Sequence, residues 1–196
     1  MEEIILATNN DGKVREFKEM LSDTNINIIP LKEAGIKADI EETGDTFKEN
    51  ALIKARAICK LTGKPALADD SGLSVDALNG EPGVYSARYL GEDTSYEIKN
   101  KAIIDRLEGK EGEERAGGFI CFMALVLPDE REYITSGEMR GLIAKEPAGE
   151  NGFGYDPIVF LPEYGKTSAQ LEPEVKNSIS HRGEALEKMI SIIKSL

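Results

Sequence analysis

Short apolar runs alternate along this chain with segments of helical periodicity, and this alternation constrains its fold most. The run Ile4 to Ala7 predicts a buried strand, and Val14, Phe17 and Leu21 then recur at the spacing of a helix that begins near Asp11. Strands mixed with helices in this way predict an α/β protein with a mixed sheet. The other predicted elements are helices over 46–61 and 95–107, strands over 65–68, 119–127, 132–135 and 158–160, and a closing helix from about Ser180.

The charge of the chain limits its partners. Its 196 residues contain 24 Lys and Arg against 36 Asp and Glu, which gives a formal net charge of −12. The length is typical of one domain, so we expect a single domain over 1–196. The negative excess argues against binding to nucleic acid or to an acidic membrane, because phosphate groups would be repelled over a broad surface. This charge is compatible with one small polyanion held by local lysines and a metal ion.

Several features indicate a cytoplasmic protein. The longest apolar run, 119–127, is far shorter than the ~20 residues of a membrane helix, and the acidic start is unlike a signal peptide. The two cysteines, Cys59 and Cys121, lie in apolar sequence and are predicted to be reduced core residues. A single histidine, His181, excludes a multi-histidine zinc site.

A polar loop between the first strand and the first helix is the first candidate site. Free backbone N–H groups and the positive end of the helix dipole would favour an anion there, and a lysine would add charge. A helix cap with a solvated lysine explains the same residues equally well. The chain contains neither a Walker A motif nor GxGxxG. The loop consists of Thr8, Asn9, Asn10, Asp11, Gly12 and Lys13.

Acidic residues form the second candidate site. Glu41 and Glu42 precede the second helix, and Asp69 and Asp70 are predicted to end a buried strand. Oxygen ligands of this kind suit Mg²⁺, which usually also bridges to substrate phosphates. Solvated charges explain Glu41 and Glu42 as well, whereas two adjacent carboxylates after an apolar strand are costly to bury without a cation or hydrogen bonds.

Two further motifs could recognise a planar ligand. In Gly152-Phe153-Gly154 the glycines would let the backbone approach a ring stacked on Phe153, although a glycine-rich turn before a strand has the same composition. Lys176 and Ser180-His181-Arg182 combine donors for a carbonyl oxygen or a phosphate. Helix capping by Ser180 with exposed charges is the alternative explanation.

Seven motifs in order closely resemble those of the inosine triphosphate pyrophosphatase family, also called the dITP/XTP pyrophosphatase or Ham1-like family. Each motif alone is weakly specific, but the ordered set is very specific and spans residue 4 to the final helix. The motifs are Thr8-x-Asn10-x-x-Lys13, Glu41-Glu42-Thr43-Gly44, Phe47-x-Glu49-Asn50-Ala51-x-x-Lys54-Ala55, Ala68-Asp69-Asp70-Ser71-Gly72-Leu73, Pro82-Gly83-Val84-Tyr85-Ser86-Ala87-Arg88, Gly152-Phe153-Gly154-Tyr155-Asp156-Pro157 and Ser180-His181-Arg182.

The resemblance implies an activity, a cofactor and a fold. Members of the family hydrolyse the non-standard purine nucleoside triphosphates ITP, dITP and XTP to the monophosphate and pyrophosphate, use Mg²⁺ and work as homodimers. This cleanses the nucleotide pool of damaged purines. The implied fold is an elongated mixed β-sheet with flanking helices, in two lobes with the active-site groove between them.

The resemblance also implies roles for individual residues. Asp70 is the implied general base, and Glu41 and Asp70 are the implied Mg²⁺ ligands. Phe153 would stack on the base, and Asp156, Lys176, His181 and Arg182 would surround the edge of that base. The full set of implied substrate-binding residues is Thr8, Asn9, Asn10, Asp11, Gly12, Lys13, Lys54, Ser71, Phe153, Gly154, Tyr155, Asp156, Lys176, His181 and Arg182.

The residues themselves are consistent with direct attack by water. Phosphate attack needs neutralised charge and a base, which a metal, Lys13, Lys54 and Asp70 could supply. Spacing alone does not distinguish Asp69 from Asp70. Two alternatives stay open: a Maf-type house-cleaning pyrophosphatase of modified pyrimidines and a non-catalytic nucleotide sensor. The first would lack the base site around Phe153, and the second has no need of a base beside a metal.

Overall fold

The structure, a computed structural model, describes residues 3–196. The order of strands in the sheet is β2-β1-β3-β4-β5-β6-β7. β1 is parallel to β2 and β3, whereas β6 is antiparallel to β5 and β7, so the predicted mixed sheet is confirmed. The strands are β1 (Ile4–Leu6), β2 (Ile28–Pro30), β3 (Ala66–Val75), β4 (Ala116–Val126), β5 (Glu132–Ile143), β6 (Val159–Leu161) and β7 (Lys166–Thr167). The α-helices are α1 (Asp11–Leu21), α2 (Phe47–Thr62), α3 (Tyr96–Arg106), α4 (Pro173–Ile179) and α5 (His181–Ser195).

Capping side chains explain where the predicted helices begin. The Asn10 side chain accepts a hydrogen bond from the backbone N–H of Lys13 (3.1 Å) and caps α1. Thr46 and Glu49 form a capping box at the start of α2. These helices begin at the predicted residues or one residue later, because the caps are local and visible in the sequence.

The strand β3 is longer than predicted, and the prediction that Asp69 and Asp70 end it is wrong. The strand continues through both carboxylates to Val75. Charged side chains are tolerated in its buried part because cations from other elements of the chain lie beside them, as described below. Sequence periodicity did not predict β2, β7 or α4, which are too short for a periodic signal.

The chain divides into two compact units, each with its own core. Unit 1 comprises the chain up to Asp70 together with Cys121–Gly137 and Arg182–Leu196. Unit 2 comprises Ser71–Ile120 and Glu138–His181. In residues 3–196 we find no helix of sufficient length and apolarity to cross a membrane.

In unit 1, helices pack on strand β3 from two sides. Leu67 belongs to a core cluster with residues of α1 and α5, such as Phe17 and Leu186. Ala66 and Ala68 belong to a second cluster, with residues of α2. Successive side chains of a strand point to opposite faces. The alternation therefore continues into the acidic pair: Asp69 faces the side of α1 and α5, and Asp70 faces the side of α2.

The two cysteines fit the prediction made for them. Cys59 and Cys121 are buried and unbonded in the clusters of unit 1, as predicted. The core of unit 2 is built on apolar residues of β3, α3, β4, β5 and the segment that leads into β6. Its members include Leu73, Val75, Ile103, Leu107, Phe119, Met139, Tyr155, Ile158 and Leu171.

Candidate active site

The loop before α1 places its groups around Lys13. The Thr8 side chain accepts a hydrogen bond from the backbone N–H of Asn10 (3.2 Å), which in turn caps the helix at Lys13. The ammonium of Lys13 lies 2.9 Å from a carboxylate oxygen of Asp69. The loop thus presents a helix N-terminus and a cation together, as an anion site requires.

The side chains of Asn9 and Asp11 contact residues outside this loop. The Asn9 amide donates to the backbone carbonyl of Ala38 (3.1 Å), and exposed Asp11 forms an ion pair with Lys32 (2.6 Å). Gly12 adds no side chain to the first turn of α1. For these three residues, a contact with phosphate would come from the backbone N–H groups.

Asp69 is held by two cations. Its carboxylate is fully buried and lies 2.9 Å from Lys13 and 3.3 Å from the Arg182 guanidinium, which also pairs with buried Glu16. Burial alone would raise the pKa of Asp69, but the charges of Lys13 and Arg182 outweigh it and hold this pKa below its usual range. Asp69 is therefore an ionised counter-ion for these two cations at neutral pH.

Asp70 has the opposite environment. One carboxylate oxygen lies 3.3 Å from the Lys54 ammonium, while the other is buried and has no hydrogen-bond partner among residues 3–196. Burial raises the pKa of Asp70 despite the nearby lysines. Lys54 also pairs with Glu42 at 2.6 Å, and these two carboxylates raise the pKa of Lys54 against the effect of its burial. Asp70 thus keeps one oxygen for a ligand or a proton.

The carboxylates near Lys54 fit a magnesium ion that also binds phosphate. Within the described part of the chain no three His, Cys, Asp or Glu side chains form a metal group. Mg²⁺ commonly uses only one or two protein carboxylates and completes its shell with substrate phosphates and water. The second oxygen of Asp70 suits such an ion. Glu41, the other ligand that the resemblance implies, is exposed, and its neighbour Glu42 is the residue that contacts Lys54.

In unit 2, Asp156 gathers the groups of the glycine-rich motif. Its buried carboxylate accepts hydrogen bonds from the backbone N–H of Phe153 (2.8 Å), from the Lys176 ammonium (2.6 Å) and from the Ser168 hydroxyl (2.8 Å). The Lys176 ammonium also lies 5.4 Å from the centre of the half-buried Phe153 ring. The Phe153 ring and the Lys176 ammonium, both predicted to contact the base of a nucleotide, thus lie next to each other.

The other predicted residues have distinct surroundings. Tyr155 is buried in the core of unit 2, and its hydroxyl donates to the carbonyl of Ser86 (2.8 Å). The buried His181 ring stacks on Phe119 with centroids 4.9 Å apart. Ser71 is half-buried in β3.

The structure thus brings some of the predicted residues together in two sets. Lys13, Lys54, Asp70 and the buried pair Asp69 and Arg182 lie together in unit 1, and Phe153, Asp156 and Lys176 lie together in unit 2. Sequence reasoning missed Glu16 and Ser168, which support these sets. Glu16 follows Lys13 by three residues on α1, so helical spacing was a usable signal for it, whereas nothing local marks Ser168.

Known proteins match this chain over nearly its full length. Residues 4–192 match the sequence model of the Ham1 family. A dITP/XTP pyrophosphatase of Bacillus licheniformis is 48% identical over 193 residues, which cover 98% of each chain. Among solved structures, a HAM1 protein from Coxiella burnetii gives a TM-score of 0.90 at 45% identity and full coverage of both chains. The Ham1 protein of Staphylococcus aureus gives 0.87 at 42% identity, with 98% of each chain covered. This chain therefore belongs to the Ham1 family.

Proposed function

We propose that this chain hydrolyses the non-standard purine nucleoside triphosphates ITP, dITP and XTP to the monophosphate and pyrophosphate, as one pyrophosphatase domain over 1–196. The observation that carries the proposal is the difference in environment between two adjacent carboxylates. Asp69 is neutralised by Lys13 and Arg182, whereas Asp70 keeps a buried oxygen without a hydrogen-bond partner within residues 3–196. Adjacent acids whose pKa values are pushed apart are typical of acid–base catalysis.

Lys13 and Lys54 would counter the charge of the triphosphate. The N-terminus of α1 adds the dipole and the backbone N–H groups of Asn9, Asp11 and Gly12. Thr8 and Asn10 would shape this loop through their own hydrogen bonds. Asp70, with a raised pKa, would orient the attacking water and accept its proton. Asp69 and Arg182 would hold the Lys13 ammonium in place.

Asp70 with Glu41 or Glu42 would hold Mg²⁺. Bound there, the ion would neutralise phosphate charge and favour attack on phosphorus. Glu42 has support from its position near Asp70, since both carboxylates contact the Lys54 ammonium, and Glu41 has support from the family resemblance. Replacing each by Gln and measuring the Mg²⁺ concentration for half-maximal turnover would identify the ligand.

Phe153 and Lys176 would recognise the purine. The ring offers a stacking face, and the ammonium is an obligate donor that suits the carbonyl at position 6 of hypoxanthine or xanthine. Adenine carries an amino group at that position and would meet a donor with nothing to accept. The proposed base site also includes His181, Ser71, Gly154 and Tyr155.

The chain would act in the cytoplasm as a homodimer, with twice the 21.4 kDa mass of one chain.

A panel of nucleoside triphosphates tests the proposal. With Mg²⁺ present, ITP, dITP and XTP should release pyrophosphate, with the monophosphate as the first product, and ATP should be a very poor substrate. Stepwise release of orthophosphate through IDP would contradict it. Preference for modified pyrimidine triphosphates would favour the Maf-type alternative, and tight binding of ITP without turnover would favour a nucleotide sensor.

A further inference from the structure

Helix α3 carries an amide where its periodicity calls for an apolar side chain. Asn100, Ile103 and Leu107 follow at the spacing of one helix face, and all three are buried. The Asn100 amide nitrogen donates to the backbone carbonyl of Gly154 (3.2 Å). The Asn100 side-chain oxygen is buried and has no hydrogen-bond partner among the residues that the structure describes. A half-satisfied amide in a core costs free energy, so its single hydrogen bond needs an explanation.

The loop that receives this hydrogen bond contains two glycines, whose backbone is less restricted than that of other residues. Gly152 (φ +75°) and Gly154 (φ +68°) flank Phe153, and both adopt the left-handed conformation that glycine permits. A Cβ on Gly152 would lie 2.1 Å from the Asp156 carboxylate, so only glycine allows this close approach. The direction of the Phe153 ring therefore depends on groups that hold the backbone on either side of it.

One side chain holds the backbone on each side of the ring. Asp156 accepts the N–H of Phe153 itself, and Asn100 binds the carbonyl of the next residue, Gly154. Helix α3 makes a second contact with the loop, since the Tyr96 ring packs edge-on against Tyr155 with centroids 5.3 Å apart. Helix α3 and Asp156 together fix the position of the Phe153 backbone.

We propose that Asn100 is a positioning residue for base recognition, which acts through the Gly154 carbonyl to fix the Phe153 ring for stacking on a purine. The inference rests on the proposed function, because it takes Phe153 as the base platform. Loss of the Asn100 amide should therefore weaken binding of the base and leave binding of the triphosphate chain unchanged. A residue that only stabilises the fold would affect both or neither.

The test uses two ligands that separate these contributions. Titration calorimetry measures the affinity for inosine monophosphate, which carries the base, and for inorganic tripolyphosphate, which does not. Asn100→Ala and the isosteric Asn100→Asp should each weaken inosine monophosphate binding about tenfold, within the range of one lost stacking contact, and leave tripolyphosphate binding unchanged. Gly154→Ala, which strains the same peptide, should reproduce this pattern.

Ile103→Val is the matched control. It removes one methyl group from the same buried face of α3 without touching the loop hydrogen bond, so it should lower the melting temperature and leave both affinities unchanged. Folded Asn100 variants with wild-type affinity for inosine monophosphate would overturn the inference. Equal weakening of both ligands, or failure of both Asn100 variants to fold, would overturn it as well.

The measurement also separates this inference from the proposed function. A wild-type chain that binds inosine monophosphate but hydrolyses no triphosphate would contradict the proposed function, and the affinities of the variants would still decide the role of Asn100. A wild-type chain that does not bind inosine monophosphate would overturn the role proposed for Asn100.

Discussion

Asp69 and Asp70 are neighbours in one strand, yet their carboxyl groups meet different partners. Adjacent residues of a strand point to opposite faces, so Asp69 meets Lys13 and Arg182 while Asp70 meets Lys54. The pKa of the first is held low by its cations, and that of the second is raised by burial. Their electrostatic environments differ because the strand continues through both residues.

At the residue scale, Asp70→Asn should abolish most turnover without weakening the fold. Loss of a general base costs roughly 10²–10⁴-fold in kcat. Because burial disfavours the charged form of Asp70, a neutral isostere should leave the free energy of unfolding equal or higher when no metal is present. Pyrophosphate release from ITP and urea unfolding measure the two effects, with exposed Asp76→Asn as the control. Near-native turnover would remove Asp70 from the mechanism.

Asp69→Asn should instead destabilise the fold. It leaves Lys13 without its buried counter-charge and Arg182 with Glu16 alone, and breaking a buried ion pair costs about 3–5 kcal/mol. The pKa of Asp69 is lower in the folded state than in the unfolded state. Its ionised form therefore stabilises the fold at pH values above the unfolded pKa, and this stabilisation is lost as the pH falls. The difference between wild type and Asp69→Asn should therefore be constant near neutral pH and narrow below about pH 4. A difference that grows towards acid pH would contradict this.

At the scale of elements, the cap of α1 should serve both stability and ligand binding. Asn10→Ala removes the acceptor of the Lys13 N–H and should cost about 1 kcal/mol of unfolding free energy. Since this helix end is the proposed phosphate site, affinity for tripolyphosphate should also fall about tenfold. Thr46→Ala, which removes the cap of α2, is the control with a similar loss of stability. Equal losses of tripolyphosphate affinity in both variants would contradict a specific role of the α1 cap in phosphate binding.

Local signals in the sequence sufficed to predict the longer helices α1, α2, α3 and α5, and non-local contacts explain the misjudged end of β3. The caps Asn10, Thr46 and Ser95 precede periodic segments, so α1, α2 and α3 begin within a residue of their predicted starts. The strand β3 appeared to end at Asp69 because charged residues are rare in buried strands. The cations that permit them, Lys13 and Arg182, lie 56 and 113 residues away.

Only part of the candidate site could be predicted from the sequence. The motifs identify the residues of the site, but they do not show which of these residues contact each other. Arg182 was expected at the edge of a base, and its guanidinium contacts Asp69 and Glu16 in unit 1. Asn100 belongs to none of the motifs, and only the fold brings it to Gly154.

At the scale of the whole molecule, the chain and its proposed substrate both carry a net negative charge and repel each other. The formal net charge is −12, and a nucleoside triphosphate is itself strongly anionic. The proposed function therefore requires a local inversion of sign, which Lys13, Lys54, the N-terminus of α1 and the proposed Mg²⁺ would supply together. The effect of the inversion is limited to about a Debye length, ~8–10 Å at moderate salt.

The same balance predicts that the chain does not bind nucleic acid. A duplex presents phosphates over a surface much wider than the cluster formed by Lys13 and Lys54. Most of its phosphates would therefore face the acidic remainder of the protein. Fluorescence anisotropy with a labelled 20-base-pair duplex at ~0.1 M salt should give a dissociation constant above roughly 1 mM, weaker than the 10⁻⁴–10⁻⁶ M of non-specific DNA-binding proteins. The same protein stock must release pyrophosphate from ITP, so that absence of binding does not reflect unfolded protein. Micromolar binding that weakens steeply with added salt would show that a basic surface larger than this cluster exists on the chain.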